Sequence, residues 1–184
     1  MTLREKISKN ILLLDGAFGT YIASKESGGQ AQSPSGSMEE LSSFSPGVIS
    51  GIHADYFDAG ADAVETNSFG GNRLKLAEYG LSKEVYSINL ESARLARREA
   101  DRFSTNKWPR YVVGTMGPTG KLPSSPDPQL GDIGYAELRD IFSEQAAALI
   151  DGGVDAILVE TGQDILEMKA AVNGAKKEIG RAHV

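Results

Sequence analysis

The sequence predicts an α/β protein built from parallel βα units. Three observations carry that prediction. Aliphatic runs at 11–14, 61–64, 111–116 and 154–159 are long enough for strands, too short for helices, and bounded by turn residues. Longer stretches with apolar residues at helical spacing separate them, which is the alternation of βα units. The segment Asp58–Thr66 is also echoed by Asp151–Thr161, which carries two extra residues. Each copy reads as helix end, glycine cap, short buried strand, then a glutamate followed by a threonine.

Taken in order, residues 2–10 form a short leading helix with Leu3 and Ile7 as its apolar positions. Ile11-Leu12-Leu13-Leu14 is a continuous apolar run, the pattern of a strand covered on both faces. Asp15 follows at its carboxyl end, and Gly16 and Gly19 let the backbone turn closely. A helix starts near Thr20 and gives way to a Gly/Ser/Gln/Pro-rich flexible insertion at about 26–37. The second half of 38–60 is helical, with Pro46 in a first-turn position and Val48, Ile49, Ile52, Tyr56 and Phe57 at helical spacing. Gly60 closes that helix, and 61–67 is the second strand. A loop at 68–72, a helix from Arg73 to Tyr79 and a long helix from Lys83 to Phe103 come next. Tyr111–Met116 is the third strand, and its exit at Gly117-Pro118-Thr119-Gly120 runs into a Pro/Ser/Asp-rich loop. Helix from Tyr135 to Asp151, strand from Val154 to Thr161 and helix from Ile165 to Glu178 complete the pattern.

A chain of 184 residues can bury one sizeable core. Its formal net charge of −6 argues against a nucleic-acid surface. The densest basic cluster, Arg94-Leu95-Ala96-Arg97-Arg98, reads as a solvated helix face. No apolar stretch approaches a membrane span and the amino terminus lacks a signal-peptide core, so a cytoplasmic location is expected. The absence of cysteine removes disulfides, a catalytic thiol and thiolate metal ligands, and only His53 and His183 could supply imidazole. No metal ligand or catalytic residue is therefore assigned within this chain.

Two architectures accommodate the pattern: a small open parallel α/β sheet, or part of a (βα)8 barrel, which typically needs about 250 residues. Phosphate-loop spacings are absent after the first strand, which leaves nucleotide binding without support. In either architecture Asp15, Glu65 and Glu160 stand at strand ends and point into one mouth.

Four segments carry a resemblance: 12–20 (LLLDGAFGT), 65–76 (ETNSFGGNRLKL), 114–123 (GTMGPTGKLP) and 159–171 (VETGQDILEMKAA). Their content, order and spacing resemble the homocysteine S-methyltransferase family, most closely the amino-terminal homocysteine-binding module of cobalamin-dependent enzymes that make methionine. The resemblance implies a (βα)8 TIM barrel of which 1–184 covers the amino-terminal half, about four βα units, with 181–184 approaching a fifth strand. It implies methyl transfer to homocysteine in the complete protein, with the thiol activated by zinc on three cysteines of the other half of the barrel. This chain lacks those ligands, so alone it is expected to be inactive. Methylcobalamin and methyltetrahydrofolate are implied for other domains, although relatives that use betaine or S-methylmethionine share the same strand ends.

Homocysteine has an ammonium, a carboxylate and a thiol. Asp15 and Glu160 are the candidates for the ammonium, as the matching Asp and Glu are in the related betaine-using enzymes. The backbone of Gly16, Ala17, Phe18 and Gly19 is the candidate anion nest for the carboxylate. Glu65, Thr66 and Asn67 stand at the second strand's mouth, either touching substrate or supporting residues that do. Competing readings are a helix cap for Asp15, a rim salt bridge for Glu160, a plain turn for 16–19, and rim packing for Phe69. His53, Trp108 and Met168 read as core or surface residues. A Schiff-base aldolase has weak support, because Lys75 and Lys121 fall in a helix and a loop. The expected partners are homocysteine, the remaining half of the barrel, cobalamin and folate modules, and a second copy through open sheet edges. The alternative function is a non-catalytic amino-acid-binding module.

Overall fold

A computed structural model describes residues 1–27 and 33–180. Nine helices and three strands are assigned among these residues: α1 (Leu3–Lys9), α2 (Phe18–Ser27), α3 (Leu41–Phe44), α4 (Pro46–Asp58), β1 (Ala63–Glu65), α5 (Arg73–Ala77), α6 (Val85–Phe103), β2 (Tyr111–Met116), α7 (Pro128–Gly131), α8 (Tyr135–Asp151), β3 (Ala156–Val159) and α9 (Ile165–Ile179). The strands run parallel in chain order β1-β2-β3, and Leu14 bridges Ala63 on the outer side of β1. Each strand lies beside its predecessor, and no reversal of direction creates the switch point of a doubly wound sheet. This is the arc of a parallel barrel.

The first aliphatic run is not a strand covered on both faces. Only Leu14 pairs with β1, Ile11 is 91% exposed and Leu13 is 55% exposed. Among the described residues nothing lies on the far side of this run, so it is an edge and its outward side chains stay in solvent. The remaining strands are where the sequence places them, trimmed at their ends to 63–65 and 156–159. The short helix α7 is an addition: the loop after β2 reads as irregular in the sequence, but Asp127 caps a single turn through the Gln129 N–H. α2 begins at Phe18, two residues before the expected start. Of the expected flexible insertion, 28–32 lie outside the described residues, as does 181–184. The 33–37 end is held by Glu40, whose Oε2 accepts from the Ser33 and Ser35 hydroxyls at 2.8 Å.

Local chemistry accounts for the helices. Thr2 and Glu5 form a reciprocal capping box at α1, and Pro46 opens α4, where its missing N–H costs nothing. α6 buries Val85, Ile88, Leu95 and Ala96, while Arg94, Arg98 and Arg102 face water. Arg94 pairs with Glu91 on the solvated face, whereas Arg97 is only 23% exposed and reaches across to Asp155 and the Arg110 carbonyl, so at that position the expected solvated face is instead a contact between elements.

The sheet divides the core by residue parity. Val112 and Met116 of β2 point outward into clusters with α4, α6, α8 and α9. Ala63, Tyr111 and Val113 point the other way, packing with Leu3, Leu12, Leu14 and Leu158. Continuing that inner face towards the carboxyl ends of the strands brings up Glu65, Thr115 and Glu160.

Candidate functional site

The inner-face residues at the strand ends open into a cavity of about 430 Å³. Asp15, Gly16, Ala17, Phe18 and Gly19 line it from the first strand end and the first turn of α2. Glu65, Thr66 and Asn67 come from the end of β1, and Glu160 follows β3. All the candidate residues identified from sequence therefore meet in one place. Ile22, Met38, Glu39, Ser68, Phe69 and Thr115 complete the lining.

Asp15 is tied to the second strand at both ends of the residue. Its N–H donates to Ala63 O at 3.1 Å, and its Oδ2 accepts the Glu65 N–H at 2.9 Å. That arrangement is a strand-to-strand tie and not a helix cap. Burial raises the Asp15 carboxyl to about 7, with the nearby Glu65 and Glu160 carboxylates adding to the rise and the Glu65 N–H opposing it. Glu65 is raised too, by burial first and the Glu160 carboxylate second, with the nearby Thr115 hydroxyl opposing. No lysine, arginine or histidine is among the described residues that line the cavity. The cavity thus gathers carboxyl groups with no cationic side chain among its described lining, and a cationic group entering it would favour their ionised forms.

Thr66 and Asn67 are largely committed to the frame. Thr66 Oγ1 accepts the Thr115 N–H at 3.0 Å and shares a hydrogen bond with Ser68, whose hydroxyl donates to Thr115 O at 2.8 Å. Asn67 Nδ2 donates to Met38 O at 2.7 Å and to Ser42 Oγ at 3.2 Å, drawing 38–42 over the cavity. Glu39 arrives on that segment and accepts the Gly70 N–H at 2.8 Å. It is a fourth carboxylate at the rim, and no periodicity in its Ser-rich surroundings marks it. Phe69 is 42% exposed and lines the cavity while its ring covers Gly117, where an added Cβ would lie 2.6 Å from the ring. It is at once packing and wall.

The residues read from the sequence as core or surface lie away from the cavity, as Thr119 does. His53 is sealed in the core beside the Phe18 ring, with neither nitrogen hydrogen-bonded among the described residues, and burial pushes it down to about 3. Trp108 is at the opposite end of the sheet, donating to Asp62 Oδ1 at 2.8 Å beneath the Arg110 guanidinium. Glu167 is buried in α9 and accepts from the Thr119 N–H at 2.8 Å, which places Thr119 in packing and not in the cavity. Thr161, next to Glu160, is the one non-glycine residue at positive φ (56°) among the described residues.

A metal does not fit these residues. The sequence has no cysteine, and among the described residues no group of three or more His, Asp or Glu side chains could hold a metal ion. Nor is any helix among them long and apolar enough to cross a membrane.

Comparison with known proteins gives a consistent picture. The family model described as homocysteine S-methyltransferase matches residues 12–183. Methionine synthase of Mycobacterium tuberculosis (strain ATCC 25618 / H37Rv) is 40% identical over 98% of this chain, and that of Mycobacterium leprae (strain TN) is 39% identical over the same share. In both cases the match covers 15% of the relative. Among solved structures, the oxidized form of the homocysteine methyltransferase MmuM from Escherichia coli superposes with a TM-score of 0.76 at 26% identity, over 95% of this chain and 61% of that one. Its metallated form also gives 0.76, at 22% identity, over 98% and 63%. The chain thus spans a small part of its methionine synthase relatives and under two thirds of these structures.

Proposed function

The chain belongs to the homocysteine S-methyltransferase family, and from that premise we propose that its cavity holds the amino-acid end of homocysteine in a methionine synthase-like methyltransferase. One observation carries the proposal. Asp15, Glu65 and Glu160 converge at the strand ends of one cavity that contains no cationic side chain among its described lining.

In this reading Asp15 and Glu160 receive the ammonium from two sides of the mouth. Glu65 adds negative charge, and its backbone holds Asp15 in place. The substrate carboxylate lies against the backbone of Gly16, Ala17, Phe18 and Gly19 at the start of α2, where the N–H groups of a first helical turn attract anions. Ile22, Met38 and Phe69 border the methylene chain. The thiol lies beyond these groups, towards a part of the domain that this chain does not supply. The role of this chain is therefore to bind and orient the substrate, which contributes to methyl transfer by fixing the nucleophile's approach. Zinc on ligands outside this chain would ionise the thiol, and methylcobalamin recharged from methyltetrahydrofolate is the proposed donor, by analogy with the methionine synthases. A cytoplasmic setting belongs to the same proposal.

A second reading, amino-acid binding without turnover, draws on the lack of cysteine. Titration calorimetry tests the common step. Homocysteine should bind in the micromolar range and Asp15→Asn should abolish the heat; absence of binding to the wild type would remove both readings. Methylation of homocysteine by the zinc-free chain alone would contradict a role limited to binding and orientation. Self-association is also proposed, through the open edge at 11–14 and that of β3; a single monomeric boundary in sedimentation at all concentrations would rule it out.

A further inference from the structure

The inner face of β2 presents one polar side chain at the cavity, Thr115, between the carboxylates contributed by its two neighbouring strands. It is 2% exposed, and its hydroxyl donates to Glu160 Oε1 at 2.5 Å. Its backbone is held from both directions: the N–H by Thr66 Oγ1 at 3.0 Å, and the carbonyl by Ser68 Oγ at 2.8 Å. Register adds a third restraint, because Thr115 pairs with Leu158, two residues before Glu160 on the same face. The Glu160 N–H continues the ladder by donating to Met116 O at 3.2 Å.

A hydroxyl has one proton to donate. Spent on Glu160, it fixes that carboxylate's rotamer; Glu65 is the competing acceptor on the other side. The remaining support for Glu160 is weak, a 3.4 Å contact from the Thr161 hydroxyl to Oε2. Glu160 therefore owes its aim into the cavity to Thr115. Hydrogen bonds from a buried hydroxyl to a charged group are among the stronger ones, and a carboxylate released from such a bond can swing or pair elsewhere.

Building on the homocysteine reading, we propose that Thr115 is a positioning residue for amine recognition: its buried hydroxyl orients Glu160, and the affinity of the cavity for an amino-acid ammonium depends on that orientation.

The test is a double-mutant cycle read by homocysteine titration calorimetry on the full chain. Thr115→Val removes the hydroxyl at nearly constant shape and should weaken homocysteine at least about tenfold. Thr115→Ser, which keeps the hydroxyl, should restore affinity to within about threefold of the wild type. In a Glu160→Gln background, Thr115→Val should cost little further, since both substitutions disable the same contact. If Thr115→Val does not fold by circular dichroism, Thr115→Ala takes its place in the cycle. Equal losses in both backgrounds, or no rescue by serine, would show a purely structural threonine and overturn the proposal while leaving homocysteine binding intact. A wild-type chain that does not bind homocysteine would overturn this proposal and the functional reading together.

Discussion

The Oδ2 atom of Asp15 accepts the backbone N–H of Glu65 at 2.9 Å, so the first carboxylate of the cavity is anchored on the residue that carries the second. The contact fixes Asp15 across two strands, yet it places a buried carboxyl group beside two others. Burial outweighs the single donor, and the group is raised to about 7.

This has a consequence for stability. An aspartate with an ordinary unfolded value of 3.8 and a folded value of about 7 binds its proton more tightly when folded. Its contribution is complete below about pH 4 and is lost as pH rises through about 7. Stability should therefore decline between pH 4 and 7, on the order of a few kcal/mol, with Glu65 adding in the same direction. Asp15→Asn, which retains an acceptor for the Glu65 N–H, should flatten that slope and be more stable than the wild type at pH 8. Urea unfolding at pH 5 and pH 8 measures both; an unchanged slope in the variant would refute the assignment.

Ligand binding should show the opposite sign. An ammonium prefers an ionised Asp15, so homocysteine should bind more tightly as pH rises from 5 towards 7 and then level off, because the amine keeps its proton over that range. Binding near pH 6 should release a proton, seen in calorimetry as a heat that depends on the buffer's ionisation enthalpy. Asp15→Asn should leave no binding heat at any pH between about 5 and 8, because the carboxylate that meets the ammonium is gone. Proton uptake instead of release would contradict an ammonium at this carboxylate.

The internal echo also has a structural meaning. Asp62 donates its N–H to Leu13 O at 2.7 Å and accepts the Leu13 N–H on Oδ2 at 3.1 Å; Asp155 does the same to Val112, both at 2.8 Å. Each aspartate precedes its strand and clamps the register of the preceding one. Asp155→Ala should cost about 1–3 kcal/mol because it orphans the buried Val112 N–H, whereas Asp155→Asn keeps an acceptor and should cost less. Asp62 adds an acid-sensitive element. Burial would raise it, but donors from Trp108, Leu13 and Lys6 bring it below its usual value, so its contribution is present above about pH 4 and lost as pH falls further. Thermal unfolding of the two Asp155 variants decides the point; equal losses would assign the effect to the charge pair with Arg97 and not to the clamp.

These relationships explain what is legible in the chain. Residues adjacent to punctuation are legible: Asp15, Glu65 and Glu160 each end a short apolar run, and strand ends are where α/β sites assemble. Thr115 is not, because β2 is buried on both faces and its sequence shows no alternation to mark an inner side. Glu39 is not, because its place depends on Asn67 and Gly70, about thirty residues away, binding the 38–42 segment across the cavity. The run at 11–14 misleads for a related reason: composition records the apolarity of a strand, not whether another strand lies beside it.

Two glycines separate close packing from simple helix propensity. Gly71 turns the loop between β1 and α5, and a Cβ there would lie 2.4 Å from Asn89 Oδ1 and 2.9 Å from both Gln145 Nε2 and Ser68 O. Those groups cannot yield cheaply. Asn89 holds Gly71 O at 2.8 Å, Gln145 holds Ser68 O at 2.7 Å, and both side chains are fully buried. Gly71→Ala should cost about 1–3 kcal/mol and, by displacing Ser68 and Phe69, weaken homocysteine binding as well. Gly51, in the middle of α4, has nothing within 4 Å of an added Cβ, so Gly51→Ala should stabilise by about 0.5–1 kcal/mol through helix propensity and leave binding unchanged. Paired urea melts and calorimetry on the two variants check this. If Gly71→Ala lost stability but bound homocysteine normally, the β1–α5 loop would be packing alone, and Phe69 would not be a wall of the pocket.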